Sequence, residues 1–243
     1  MVKKSNKFKK KTVLIISDMQ MPFHHEDAFD FLVAVKKKFK PTHVVNIGDI
    51  TDSHCLNNWG IDVDGLSATD EIQQMQEGVG RLAKMFPKMD VLTSNHDLRI
   101  YRAAARAGLP KHFIKDYHDW MGCPKGWVFH DELVIDDVIY THGDERGTGG
   151  SRATINRPMH YGKSSVAGHL HSQANITYSA SRSSLFFGMQ VGCLIDYKTY
   201  AFNYARKDLK KPILAIGIVK NGIPLLVPML LDEEGRWVKT LNI

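Results

Sequence analysis

The sequence predicts an α/β fold in which two mixed β-sheets pack together with helices outside. Three observations carry the prediction. Short apolar runs alternate with helical patterns through the first half of the chain, which argues for βαβ units and a parallel sheet. The second half turns into a series of short strands separated by turn signals. Near its end, two apolar runs flank Asn221-Gly222, a strong hairpin signal.

In chain order, residues 12–17 read as a buried strand and residues 27–39 as an amphipathic helix stopped by Pro41. A second strand covers 43–47. A helix follows over 69–86, its entry marked by Ser67-x-x-Asp70, a capping-box pattern. Residues 91–93 close a third strand, and 98–107 form a helix with Gly108 and Pro110 as stop signals. Short strands are expected at 127–130, 133–135, 138–141, 164–167, 176–179 and 185–188, with a tight turn at Asp136-Asp137. The runs 212–219 and 225–230 make the closing hairpin. With no internal repeat and no Pro- or Ser-rich linker, residues 12–243 read as one continuous domain behind a basic, flexible tail, 1–11.

Composition narrows the class of protein. The chain has 243 residues, 43% hydrophobic and 24% charged, as in an ordinary globular protein with a sizeable core. No stretch approaches the roughly 18 apolar residues of a membrane span. The run Val13-Leu14-Ile15-Ile16 is too short for a secretion signal. Cys55, Cys123 and Cys193 are odd in number and widely spaced, which reads as reduced thiols and a cytoplasmic setting. The net charge of +6 favours phosphate-rich partners, nucleic acid among them, although six of the 32 basic side chains lie in the tail.

The polar residues are placed unusually. In open α/β sheets, ligands bind beyond the carboxyl ends of the strands. Here Asp18 follows the first strand, Gly48-Asp49 the second and Asn95-His96-Asp97 the third. His142-Gly143-Asp144 follows the strand at 138–141, and Gly168-His169-Leu170-His171 the strand at 164–167. Taken singly, a Gly-Asp or an Asn-His-Asp is ordinary turn chemistry, and a lone histidine is ordinarily a satisfied one. Five strands ending in Asp, Asn or His point instead to bound divalent ions. Carboxylates suit hard cations and can bridge two of them, and imidazole suits first-row transition metals. Two ions about 3.5–4 Å apart can clamp a phosphate and lower the pKa of a shared water.

Asp18-Met19-Gln20, Gly48-Asp49-Ile50-Thr51-Asp52, Ser94-Asn95-His96-Asp97, His142 and Gly168-His169-Leu170-His171 resemble, in order, the five motifs of the calcineurin-like metallophosphoesterases. The resemblance implies a four-layer αββα fold, metal-dependent ester hydrolysis and two bound divalent metal ions. By position, Asp49 would bridge the ions. Asp18, Gln20 and His171 would complete the first site, and Asn95, His142 and His169 the second. His96 would stabilise the phosphate and protonate the leaving group. Asp97 and Asp52 would stand behind the site and orient imidazoles, the alternative being that either simply caps a turn.

Two departures stand out. The family's first motif is usually Asp-x-His, where this chain has Gln20, and Ser94 replaces a usual Gly. A neutral amide oxygen argues for Mn²⁺ or Mg²⁺ over Zn²⁺, with Fe²⁺ also open. Alternatively, His24 or His25 swings in as a ligand. The Asp-Arg-Gly and Asn-His-Glu motifs of the protein phosphatase branch are absent.

For substrate, Arg99, Arg102 and Arg106 share a helix face beside the third motif, and residues 146–152, with Arg146 and Arg152, could cradle a phosphate. The competing readings are a solvated helix face and a plain surface loop. In general pattern the chain also resembles the small phosphoesterases of bacteriophages, described as DNA-repair exonuclease-like. The leading expectation is a nucleic-acid phosphodiesterase or nuclease. The alternatives are a hydrolase of nucleotides or cyclic nucleotides and, behind both, a non-catalytic binding module.

Overall fold

The computed structural model describes residues 11–57, 62, 65–145, 150–180, 182–199, 201 and 210–241. Residues 1–10 of the expected tail lie outside them, as does Arg146.

The first strand, β1 (Thr12–Ile16), is buried along its whole length and pairs in parallel with β2 (His43–Asn46). Successive side chains leave a strand on opposite faces, and both faces of β1 are apolar. Leu14 and Ile16 face a core built with α1 (Ala28–Phe39) and α2 (Ala68–Met85), whereas Val13 and Ile15 face the second sheet. The parallel series continues through β3 (Met89–Leu92) and β4 (Trp127–His130). On the other side of β1, the hairpin of β10 (Ala215–Lys220) and β11 (Ile223–Pro228) adds antiparallel strands, giving the order β11-β10-β1-β2-β3-β4. Its turn is Asn221 and Gly222, both at positive φ (53° and 78°), as a two-residue hairpin requires.

The second sheet runs β5-β6-β7-β9-β8. It comprises β5 (Leu133–Ile135), β6 (Val138–Tyr140), β7 (Ser164–Ala167), β8 (Asn175–Ala180) and β9 (Leu185–Gln190). The β5–β6 turn holds Asp136 and Asp137 at φ 50° and 64°. Between the sheets lies a core that includes Val45, Ile47, Tyr140, Val166 and Phe187. The fold is thus two mixed sheets face to face with helices outside, an αββα sandwich.

The helices bring both agreement and correction. Ser67 caps α2, its hydroxyl accepting from Asp70 N at 3.1 Å. Helix α3 (Arg99–Arg106) lies where the pattern placed it, and the short α4 (Tyr117–Met121) adds to it. Helix α5 (Ala153–Tyr161) was not expected. Its buried residues are Ala153, Thr154, Arg157 and Pro158, so the face it turns to the second sheet carries no apolar stripe to read.

Candidate metal centre

The site is built where strands of both sheets end. Beyond β1 and β2 the two chains keep pairing after the strands stop: Asp18 N donates to Gly48 O (3.1 Å), Gln20 N to Asp49 O (2.9 Å) and Met21 N to Ile50 O (2.8 Å). This continued pairing holds the two loops in register, so Asp18, Gln20 and Asp49 face one another. It requires left-handed backbone at Asp18 (φ 47°), Gln20 (φ 45°) and Asp49 (φ 50°), and His169 shares it (φ 69°). Four of the ten described non-glycine residues at positive φ therefore stand at this one place. Such strain costs of order 1–3 kcal/mol per residue and gathers at functional sites.

Ligand-type atoms converge in two groups sharing one residue. Asp49, His142 and His169 have one such atom each within 4.8 Å of one another, and so do Asp18, Asp49 and His171. Amides border both groups. Asn95 Oδ1 lies 2.8 Å from His142 Nε2. Gln20 Nε2 lies 3.4 Å from Asp49 Oδ2 and 3.4 Å from His171 Nε2. Gln20 Oε1 is buried without a hydrogen-bond partner among the described residues. A half-turn of the amide would point that oxygen into the group. An orphaned buried oxygen is costly, and a cation there would remove the cost. Carboxylate, amide oxygen and imidazole together form a donor set suited to divalent metals.

The surroundings fix these groups. His142 Nδ1 is 2.9 Å from Ile47 O, which settles its tautomer and turns Nε2 toward Asp49 (3.4 Å). His171 Nε2 is 3.1 Å from Asp18 Oδ1, and Asp18 also accepts from Ser17 Oγ and from His169 N (3.0 Å). Burial pushes the Asp49 carboxyl up, but His142 and His96 beside it hold it well below the usual carboxylate range. Burial likewise opposes a charged His142, yet Asp49 lifts it to about 10. Asp49 and His142 thus stabilise each other as an ion pair, and a divalent ion bound between them would take the place of the His142 proton.

His96 stands at the rim. Its Nδ1 lies 3.0 Å from Asp52 O and 3.0 Å from Asp52 Oδ1, so this nitrogen carries the proton and Nε2 faces the site. Arg99 is not on an open face: Nη1 donates to Asp52 O (2.7 Å) and Nη2 lies 3.1 Å from His96 Nε2. Asp97, expected to orient an imidazole, does something else. Its buried carboxylate accepts from Ile50 N, Thr51 N, Thr51 Oγ1 and Ser94 Oγ at 2.8–3.3 Å, tying the loop after β2 to the loop after β3. Ser94 completes the tie, accepting from Asp49 N at 2.8 Å. It packs so close that a Cβ on Gly48 would meet Ser94 Cβ at 2.6 Å.

Other candidates lie apart from the two groups. His25 is engaged through both nitrogens, with Gly235 O (3.0 Å) and with Asp27 N (3.1 Å). His24 sits edge-on to Phe29, ring centroids 5.0 Å apart. Neither joins the Asp and His groups, so the alternative of a second histidine beside Gln20 is not what the structure shows. Arg102 and Arg106 are exposed, Arg102 donating to Asn95 O at 3.3 Å. Arg152 is exposed at the end of a 3₁₀ turn (Gly150–Arg152), which Gln173 ties to the loop after His171. Two buried residues behind the site had no sequence signal: Arg157 and Gln190.

No protein-family profile matches the chain, and no curated protein matches it. Among solved structures it is similar to the phosphoesterase Yfce from E. coli, at 12% identity and a TM-score of 0.45, over 93% of this chain and 96% of that one. It is also similar to Vps29 from Chaetomium thermophilum (8% identity, 93% of each chain, TM-score 0.48). A third is the nuclease MPE of Pseudomonas putida (10%, 88% of this chain and 87% of that one, TM-score 0.33). At such identities, only the chain's own side chains speak to its chemistry.

Proposed function

We propose that the protein is a metal-dependent phosphoesterase with a dinuclear centre, acting on phosphodiester bonds of nucleic acid. The observation that carries this reading is Asp49, whose carboxylate belongs to both ligand groups at once. Asp18, Gln20, Asp49 and His171 would hold one ion, and Asp49, Asn95, His142 and His169 the other. Two such ions supply Lewis-acid polarisation of a phosphoryl group and activation of water. Mn²⁺ or Mg²⁺ suits the amide-containing first group better than Zn²⁺.

The chain's own contribution to the chemistry is a positioned acid. With Nδ1 held by Asp52, the His96 ring presents Nε2 to the site, where a protonated ring would give its proton to the leaving oxygen. Burial and Arg99 oppose a charged ring, but Asp49 and Asp52 raise its pKa overall, and the acid form would require the Arg99 Nη2 donor to turn from Nε2 to the substrate. Arg99, beside Nε2, adds a guanidinium that can meet a non-bridging phosphate oxygen. A nucleic-acid substrate is supported by Arg102 and Arg106 on the exposed side of α3. The free cysteines fit a reducing, cytoplasmic setting, and no described helix is long and apolar enough to cross a membrane.

The test is cleavage of end-labelled single- and double-stranded DNA in Mn²⁺. Wild type should cut, and His96→Ala should lose about 10²–10⁴ in turnover while keeping its metal content. If neither DNA is cut but nucleotides or cyclic nucleotides are, the substrate is a small phosphate ester. A protein that binds no metal, and that Asp49→Asn leaves unchanged, would be a binding module.

A further inference from the structure

We propose that Arg157 and Gln190 are positioning residues that hold the two histidine loops, 142–145 and 168–171, at the separation the second metal site needs. This rests on the dinuclear reading above.

Arg157 reaches from α5 and is only 2% exposed. Its guanidinium uses three directions. Nη2 donates to Gly143 O, Nη1 donates to Gln190 Oε1 at 3.2 Å, and Nε lies 3.4 Å from Glu145 Oε2. Gln190, fully buried at the end of β9, passes the connection on, its Nε2 donating to Gly168 O. Gly168 N in turn donates to His142 O at 2.8 Å. The bonds therefore close a ring through both loops: Gly143, Arg157, Gln190, Gly168, His142.

Packing alone does not account for this arrangement. Burying a guanidinium is costly, and an aliphatic side chain would cover the second sheet without that cost. What the guanidinium adds is a planar fork that fixes a carbonyl and a carboxamide together. The loops leave little slack, because a Cβ on Gly143 would meet Gly168 O at 2.9 Å and Arg157 Nη2 at 3.1 Å.

The two histidines depend on the ring unequally. His142 has its own anchors at Ile47 O and Asn95 Oδ1. The His169 imidazole has no hydrogen bond among the described residues, so its backbone places it, through His169 N on Asp18 and through Gly168. His171 is held by Asp18 directly. Loss of Gln190 should therefore act on His169 and on the second ion, and spare the first.

The experiment is a Mn²⁺ titration followed by electron paramagnetic resonance, with thermal unfolding of the metal-free proteins alongside. Wild type should take up two ions with a spin-coupled signal. Gln190→Leu and Gln190→Glu should bind the first ion within about threefold of wild type and the second about 10–100-fold more weakly. Gln190→Glu is the discriminating variant: its carboxylate still accepts from Arg157 Nη1, but it offers no N–H to Gly168 O. Wild-type binding of both ions by Gln190→Glu would overturn the proposal. Equal weakening of both ions in step with a lower melting temperature would overturn it too, leaving a purely structural role. A wild-type protein that binds no Mn²⁺ would remove the dinuclear reading itself, and this inference with it.

Discussion

A carboxamide where an imidazole would be expected changes what the first ligand group can hold. Gln20 offers a neutral, hard oxygen at a place bounded by Asp18, Asp49 and His171. Gln20→His should raise the affinity for Zn²⁺ relative to Mn²⁺ by about tenfold, because imidazole favours the later transition metals. Competition dialysis reads that ratio, and an unchanged ratio would mean that residue 20 does not touch the ion. His24, four residues on, has a different job. Burial, with Arg81 nearby, pulls its pKa down to about 4. The folded protein thus holds His24 neutral, whereas the unfolded chain protonates it near 6.5. The unfolded state then binds more protons between these values, so stability falls as pH drops from about 6.5 to 4, by of order 3 kcal/mol. His24→Phe should remove that slope. Comparing urea unfolding of the two proteins across the range isolates it, and parallel profiles would sink the idea.

At the scale of elements, the site depends on the loops that follow the strands. Gly168, at the end of β7, shows how tight they are: a Cβ there would collide with Ser17 Oγ and come within 2.6 Å of Asp18 Oδ2. Gly168→Ala should leave the sandwich folded but lower metal affinity at least about tenfold, since it displaces Asp18 and His169 together. Circular dichroism and a metal titration separate the two effects, and full metal binding would show that the loops can shift. The strands before these loops were legible because each is a short apolar run ended by a polar residue, and the hairpin because Asn-Gly suits a turn needing two positive φ angles. Helix α5 was not legible. Its inner face pairs Thr154 and Arg157 with Ala153 and Pro158, so hydrophobic periodicity is silent where the helix is buried. Arg157 was missed for the same reason.

At the scale of the molecule, the chain's last described segment is bound back to its start. Asp27, directly before α1, accepts from Arg236 Nε at 2.8 Å and from Trp237 N at 2.9 Å, while Trp237 packs edge-on to Phe31. Hydrogen bonds from Arg236 hold the Asp27 carboxyl well below the usual range. The clasp's contribution is therefore complete above the ordinary carboxylate pKa of about 3.9 and is lost as pH falls below it. Arg236→Ala should lower the melting temperature at pH 7, and the gap from wild type should narrow in strong acid. A gap independent of pH would place the effect in packing instead.

Local features of the chain carry the class of fold, the strand ends at which ligand-type side chains gather and the residue types in both groups. These are local facts: apolar runs, turn chemistry and the polar residue that follows a strand. Tertiary structure alone decided that Asp97 ties two loops rather than orienting an imidazole, that Arg99 turns in to Asp52 and His96, and that Arg157 and Gln190 stand behind the site. Each of those roles includes a contact between residues 22–47 positions apart, set by which strands become neighbours in the sheets. No local pattern encodes such a pairing, because the energy that selects it comes from burying both faces of β1 between two cores.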